Sequence, residues 1–342
     1  MINISDMYCL TVQTNVSLIL APVLSVEIII GLAGNGIALW IFFLRMKFWK
    51  PSTVYLLCLV VADLLLMISL PFRIDNYFRG EHWIFGDKFC KVNLFMLAMN
   101  RTASIVFLTV VAIDRYLKVV HPHHRLNMVS LQAAVIIAIT IWLVLVLMNS
   151  HVFSTSLLFE YKNHSLCRSY SSYNKLNVAM MWHYGIFFME VVLPLCVILF
   201  CTFNIIAKLH RRKMHTNPKV RRAVAALIII VLVFIICFVP CFVAGLAAML
   251  IKYKYPNDCE AFTPATEWFH GSLGFTYLNS VLDPLVYCFT NPTFKKACTK
   301  ALSSLGLWSL ESENNEQDSR DSVLKERRAT LQLEHNQVNS FK

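Results

Sequence analysis

The chain has 342 residues, 57% of them apolar and 15% charged, with a net charge of +11 and a mean hydropathy of +0.57. A soluble domain of this size carries nearer a quarter charged residues, so a water-soluble globule is excluded. The basic excess does not indicate nucleic acid either, because the lysines and arginines fall between apolar blocks.

In chain order, seven apolar segments are predicted as helices: 18–44, 52–76, 88–119, 130–153, 178–209, 220–251 and 264–289. Each is long enough to cross a hydrocarbon layer about 30 Å thick, which takes roughly 20 helical residues. A shorter amphipathic piece spans 292–305, and 306–342 is polar and expected to be disordered. The predicted fold class is an all-α membrane protein, a seven-transmembrane helix bundle with a short amphipathic eighth helix. Its expected parts are an extracellular amino terminus at 1–17, a bundle at 18–291, the amphipathic helix at 292–305 and a cytoplasmic tail at 306–342. No cleavable signal peptide stands out, since Asn3, Asp6, Gln13 and Asn15 occupy the first residues and no basic stretch precedes the first apolar run.

Orientation follows from the basic residues. Arg45, Lys47 and Lys50 lie in the first connection, and Lys208, Arg211, Arg212, Lys213, Lys219, Arg221 and Arg222 around the fifth-to-sixth connection. The opposite connections mix signs, as with Arg79 and Glu81 or Lys252 and Asp258. The amino terminus is therefore expected outside. Sequons at Asn3, Asn15 and Asn163 all fall on that side, where glycosylation occurs. Cys9, Cys90, Cys167 and Cys259 also lie there, where disulfides persist. A Cys90–Cys167 bridge would pin the long loop over the bundle mouth, leaving Cys9 with Cys259; four cysteines allow three pairings, and spacing alone does not choose. Cys298, just past the seventh span, is a palmitoylation candidate.

Polar groups inside spans are costly and mark function or helix-to-helix hydrogen bonding. Asn35, Asp63, Ser104, Asn279, Ser280 and Asp283 are such residues. Their hard oxygen donors suit a sodium ion as well as structural hydrogen bonds. In the third span, Leu97, Arg101, Ser104, Leu108, Val111 and Arg115 recur at steps of three or four and share a face. Arg101 lies about 21 Å along the axis from Arg115, too deep to reach water easily, and so requires an anion. Glu190 in the fifth span is the internal candidate, and a ligand carboxylate the external one. Pro71, Pro194, Pro240 and Pro284 interrupt spans and bend them.

The stretch from Val111 to His124, VAIDRYLKVVHPHH, ends an apolar run in an adjacent acid and arginine. Together with Gly34-Asn35, Asp63, Cys90, Trp142, Cys167, Pro194, Cys237-Phe238-Val239-Pro240 and Asp283-Pro284-Leu285-Val286-Tyr287, it resembles the rhodopsin-like (class A) G-protein-coupled receptors across the whole bundle. The resemblance implies that Asp114 holds Arg115 in the resting state, that Arg115 then meets the inserted G protein, and that Tyr287 belongs to the same coupling machinery. It also implies a Cys90–Cys167 disulfide and a sodium and water network at Asp63, Ser104, Asn279 and Asp283. Three positions depart from the pattern. The sixth span begins Val220-Arg221-Arg222-Ala223 without an acid, Phe238 replaces a common tryptophan, and Thr202 a common tyrosine.

Leu97-Ala98-Met99-Asn100-Arg101, Trp83-Ile84-Phe85-Gly86, Val119-Val120-His121-Pro122-His123-His124 and Phe275-Thr276-Tyr277-Leu278-Asn279 are similar to the hydroxycarboxylic acid receptors and their oxoeicosanoid receptor relative. Phe269-His270-Gly271 and Met148-Asn149-Ser150-His151 look nearer the latter. This resemblance implies that Arg101 binds a ligand carboxylate with help from Tyr277 and Ser169. Arg73 is expected to add positive field or a second contact, and Leu97, Phe275, Phe72 and Phe187 to line an apolar pocket. His183 and His270 are expected to be packing residues, and the His121–His124 group lacks metal-site spacing. The expected partners are a carboxylate lipid or a small acid, an inhibitory G protein, membrane lipids, and arrestin recruited by phosphorylated Ser312, Ser319, Ser322 and Thr330. No nucleic acid is expected.

Other classes fit less well. An opsin needs a lysine in the seventh span, and 264–289 has none; an amine receptor needs an acid near Leu97. An organic-anion transporter would show repeated half-sequences or paired broken helices, and an intramembrane enzyme a nucleophile with its base. The expected protein is a plasma-membrane receptor, not an enzyme, for an oxidised fatty acid or, alternatively, a small hydroxy acid or nicotinate-like acid, with sodium its sole candidate cofactor.

Overall fold

The computed structural model describes residues 12–46, 49–122, 124, 129–154, 157–161, 163–168, 178–211, 218–255 and 258–304. Its helices are α1 Thr14–Trp40, extended by a π-helical turn at Ile41–Arg45, α2 Pro51–Phe78, α3 Gly86–Val120, α4 Leu131–Asn149, α5 Val178–Arg211, α6 Pro218–Lys254, α7 Cys259–Thr290 and α8 Pro292–Ser304. A hairpin of β1 Leu158–Tyr161 and β2 His164–Cys167 lies between α4 and α5. The chain divides into two units, Met1–Phe294 and Lys295–Lys342. The first contains the bundle; in the second, the described residues are the remainder of α8.

Local chemistry sets several helix starts. Pro51 opens α2, where a missing N–H costs nothing. Ser130 and Asp258 cap α4 and α7, each accepting a backbone N–H at 3.1 Å, from Ala133 and Ala261. α7 starts five residues before the predicted boundary, so Pro264 lies within it. Among the described residues, six helices are long and apolar enough to cross a membrane. α7 has the length, 32 residues, but Glu260, Glu267, Asn279, Ser280 and Asp283 interrupt its apolar character.

The helices that carry most polar side chains lie inside. α3 packs against α2, α4, α5, α6 and α7. Cross-helix bonds join these polar groups: Asn93 Nδ2 donates to the Ser69 carbonyl at 2.7 Å, Asn149 Nδ2 to Thr102 Oγ1 at 3.2 Å and Thr276 Oγ1 to the Cys237 carbonyl at 3.3 Å. α4 turns Ile136, Ile139, Leu143 and Leu147 outward, an arrangement that suits hydrocarbon rather than water. α1 meets α7 where Gly34 faces Pro284. A Cβ on Gly34 would lie 2.9 Å from the proline ring, so the close approach requires glycine. At the next residue, Asn35 Nδ2 donates to the Ser280 carbonyl at 2.8 Å and to the Gly31 carbonyl at 3.1 Å.

The hairpin is antiparallel, pairing Leu158 with Cys167 and Tyr161 with His164. Asn163 turns it with φ +64°, a left-handed conformation that asparagine tolerates. A Cys90–Cys167 disulfide ties the second strand to α3. Trp83 N donates to the Ser165 carbonyl at 2.7 Å, and Arg168 N to the Leu157 carbonyl at 3.1 Å. The hairpin is thus held from both strands over one end of the bundle.

Asn35→Ala removes the bond between α1 and α7 and leaves the Ser280 carbonyl without it. The variant is expected to lose about 1–3 kcal/mol of stability, read as a lower thermal midpoint of the detergent-solubilised protein; an unchanged midpoint would show that the bond carries nothing.

Candidate functional site

A cavity of about 110 Å³, partly open to solvent, lies between the hairpin and the bundle interior. The helical repeat of α3 brings Leu94, Leu97, Ala98 and Arg101 to it. α2 contributes Arg73 and Tyr77, the hairpin Cys167 and Arg168, α5 Phe187, and α7 Phe269, His270, Leu273 and Tyr277.

Arg101 does not stand in the cavity as a lone cation. Its Nε lies 3.1 Å from Glu190 Oε1 and its Nη2 3.2 Å from Oε2, the two parallel bonds of a guanidinium–carboxylate fork. Its guanidinium also sits 5.0 Å from the centre of the Phe187 ring. The Arg101 side chain keeps 17% of its surface exposed and that of Glu190 only 4%. The anion that Arg101 requires is therefore supplied by the chain itself, the alternative weighed from sequence.

A second pair sits under the hairpin. Arg168 Nη2 donates to Glu81 Oε2, which also accepts the Gln13 N–H at 2.8 Å. Glu81 has φ +66°, a left-handed backbone that costs energy for a residue with a Cβ and brings its carboxylate beneath the hairpin. Burial, the largest single influence, pushes the Glu81 carboxyl up, but the Arg168 charge, the His270 ring, the Gln13 N–H and the Arg168 hydrogen bond together outweigh it and hold the carboxyl below the ordinary value of 4.5. Sequence reading placed Glu81 in a mixed-sign loop and passed over Arg168. The available signal was adjacency: Arg168 follows a cysteine expected to be bridged.

Arg73 differs from both. Its Nη1 donates to the Cys167 carbonyl at 2.8 Å, and its guanidinium lies 5.9 Å from the Trp83 ring centre. Among the described residues no acid makes a salt bridge with it.

Other predicted wall residues are placed differently. Phe275 is 48% exposed and faces away from the cavity, because its position on α7 is two residues from Leu273 and Tyr277, which face in. Phe72 packs with Phe85 and Phe89 at 5.3 and 4.7 Å between ring centres, behind the wall. Phe269 and Leu273 take their place. His270 Nδ1 lies 2.7 Å from the Thr266 carbonyl, and its ring borders the cavity. Ser169, Cys9, Asn3 and the His183 side chain lie outside the described residues, as do the tail hydroxyls. Cys259 is disulfide-bonded. Asn15 is exposed in the first turn of α1, and Asn163 sits at the hairpin turn.

Deeper in the bundle, Tyr287 OH donates to Asp63 Oδ2 at 3.0 Å, and Asn279 Nδ2 to Asp283 Oδ2 at 3.1 Å. Asn100 Nδ2 donates to Ser280 Oγ at 3.2 Å and to the Ala62 carbonyl at 3.1 Å. Ser104 Oγ, Asn279 Oδ1 and Asp283 Oδ1 are buried without a hydrogen-bond partner among the described residues. Such uncommitted oxygens next to two carboxylates fit a hard cation such as sodium. At the opposite end of α3 from the hairpin, Arg115 Nη2 lies 2.8 Å from Asp114 Oδ2, and Lys118 Nζ 2.7 Å from Asp114 Oδ1. Lys118 is a partner that sequence reading did not name. Thr202 Oγ1 donates back to the Ile198 carbonyl at 2.7 Å, and Phe238 packs edge-on against Phe234 at 5.2 Å.

A helical bundle with a cavity under a disulfide-pinned hairpin, a buried polar core and an acid–arginine pair at the far end defines a seven-helix membrane receptor. Residues 34–287 match the family described as 7 transmembrane receptor (rhodopsin family), and the chain belongs to it. It is 42% identical to hydroxycarboxylic acid receptor 2 of Rattus norvegicus over 287 residues, covering 84% of this chain and 79% of that one. It is 43% identical to oxoeicosanoid receptor 1 of Homo sapiens over 284 residues, covering 83% and 72%. With the 12-(S)-hydroxy-5,8,10,14-eicosatetraenoic acid receptor of Mus musculus the identity is 38% over 300 residues, covering 87% and 92%. The protein is thus a multi-pass receptor of the plasma membrane, working between a ligand and a G protein, and not an enzyme.

Two predictions follow from the ion pairs. Glu190→Ala leaves the Arg101 charge buried and unpaired and is expected to cost about 3–5 kcal/mol, while an Arg101→Met, Glu190→Met double variant recovers most of it; equal thermal midpoints for the single and double variants would deny the pairing. Because the Glu81 carboxyl is held low in the folded state, its stabilisation is present above the ordinary value of 4.5 and is lost as pH falls through the lowered one. Relative to Glu81→Gln, the native chain should therefore keep a constant stability advantage between about pH 5 and 7 and lose it in stronger acid, measured by thermal denaturation across pH.

Proposed function

We propose that the chain is a receptor for a carboxylate ligand, an oxidised fatty acid of the oxoeicosanoid type, signalling through an inhibitory G protein. The observation that carries this reading is the charge balance at the cavity. Arg73, Arg101 and Arg168 border it, while Glu190 and Glu81 supply two carboxylates to them. One positive charge is left over in a wall that is otherwise largely apolar, which suits a molecule with one acid group and a hydrocarbon body. The oxoeicosanoid and eicosatetraenoic acid receptors among its relatives favour the long acid. The volume of about 110 Å³ supports a second reading, a small hydroxy acid or nicotinate-like acid, in keeping with the hydroxycarboxylic acid receptors.

In this reading residues 1–17 are extracellular, with glycans on Asn3, Asn15 and Asn163, and Cys9 pairs with Cys259. Ligand binding favours the bundle conformation that binds it more tightly. Asp114 then releases Arg115 into a cytoplasmic cleft, with Tyr287 moving toward it, and the G protein enters. Asp63, Ser104, Asn279 and Asp283 would hold a sodium ion, whose charge would offset the carboxylates in the resting bundle. Residues 306–342 form a cytoplasmic tail, and phosphorylation at Ser312, Ser319, Ser322 and Thr330 recruits arrestin.

Cells expressing the chain, challenged with oxo-fatty acids and with acids of lactate and nicotinate size, should lower cyclic AMP in response to the long acids. Arg115→Ala should abolish that response while ligand binding persists. A response to the small acids alone would establish the second reading instead.

A further inference from the structure

The buried stripe of α6 runs Cys241, Gly245, Ala248 and Lys252, at helical steps of three and four. Gly245 and Ala248 border the cavity. Lys252 continues the same face about 6 Å further along the axis, at the rim. Its neighbours Leu250 and Tyr253 are exposed, whereas Lys252 is only 7% exposed, so it turns into the bundle rather than toward lipid. Across from it, α7 presents Phe262, seven residues before the cavity residue Phe269. The Lys252 ammonium lies 5.4 Å from the centre of the Phe262 ring. Among the described residues no acid makes a salt bridge with it. Asp258 caps α7 through the Ala261 N–H, and Glu260 is exposed. A ring face attracts a cation but supplies no counter-charge, and a buried charge without one is costly. Stability alone would place an apolar residue here.

We propose that Lys252 forms an outer anion subsite at the α6–α7 rim, which takes the ligand's carboxylate on entry and passes it to the deeper arginines. The inference rests on the carboxylate-receptor reading and adds to it a route of entry. The hairpin is fastened to α3 by the Cys90–Cys167 bridge and to α2 by the bond from Arg73 to the Cys167 carbonyl. The α6–α7 rim is the side away from those fastenings. Arg101 remains the deep acceptor, since its fork with Glu190 uses Nε and Nη2 and leaves Nη1 for a carboxylate. Lysine suits a passing contact. Its ammonium is a compact charge on a flexible stem, with three donors and no fixed fork to hold a carboxylate in one orientation. A cation at the mouth of a low-dielectric cleft raises the local concentration of an acid, and so speeds association more than it prolongs residence.

The test uses the full chain in phosphatidylcholine nanodiscs and a radiolabelled twenty-carbon oxo fatty acid, with association and dissociation rates measured separately. At low ionic strength Lys252→Gln should slow association by about 10-fold and leave dissociation unchanged. Lys252→Arg should keep the native rate. Added salt should slow association to the native chain and bring it toward the Lys252→Gln value. A second measurement needs no ligand. Lys252→Met removes an uncompensated charge and should raise the thermal midpoint of the empty protein by about 2–4 °C. Native association in Lys252→Gln, or a change confined to dissociation, would overturn the assignment. So would a lowered midpoint or a failure to fold in Lys252→Met, either of which would make the ammonium a structural group. No saturable binding of the acid to the native chain would instead defeat the carboxylate-receptor reading itself, before any variant is compared.

Discussion

A charge taken out of water must find its opposite, and in this bundle that requirement binds α3 to α5. Arg101 and Glu190 meet as a two-bond fork at a depth where neither side chain can easily reach the surface. Burying such a pair gains little in stability over well-packed apolar side chains, yet removing one member leaves the other at great cost. The pair therefore specifies which face of α5 turns toward α3. It also brings the Phe187 ring, one turn away from Glu190, against the guanidinium. The apolar wall of the cavity and its deepest polar contact are thus set by the same constraint.

Adjacent residues on α3 join the cavity to the polar core. Arg101 points toward α5, while Asn100 donates to α2 at the Ala62 carbonyl and to α7 at Ser280 Oγ. On the other side of that core, Asn35 joins α1 to the Ser280 carbonyl, and Tyr287 reaches Asp63. Ser280 is accordingly a shared junction, receiving α3 through its hydroxyl and α1 through its backbone. A rotation of α3 that alters the Arg101 contact displaces Asn100 as well, which gives the ligand cavity a direct mechanical route to the buried oxygens around Asp63. The continuous chain of packed groups has the form that coupling between separated sites requires.

The bundle was legible because length and hydropathy report directly on spanning helices. Even α7, interrupted by Glu260, Glu267, Asn279, Ser280 and Asp283, was read as an apolar segment, although its start lies five residues earlier than predicted. Asp114 with Arg115 was readable because the two are adjacent. Glu190 was named as a partner for Arg101 since a deep cation admits few choices. Glu81 and Arg168 escaped because their pairing spans 87 positions and depends on a left-handed backbone at Glu81, which no side-chain pattern announces. Phe275 and Phe72 were misplaced for a different reason. Aromatic character says that a residue will bury against something, but half a helical turn decides whether that is the cavity, a neighbouring ring cluster or the outside.

The hairpin has a further consequence through Cys167. Its sulfur is joined to Cys90 on α3, and its carbonyl receives Arg73 from α2. Two walls and the roof are consequently tied together at one residue, as a rigid corner. Any swelling or shrinkage of the chamber has to be taken up on the opposite side, by α5, α6 and α7. That asymmetry directs a change in what the chamber contains toward the flank whose helices carry Pro194, Pro240 and Pro284 in their interiors.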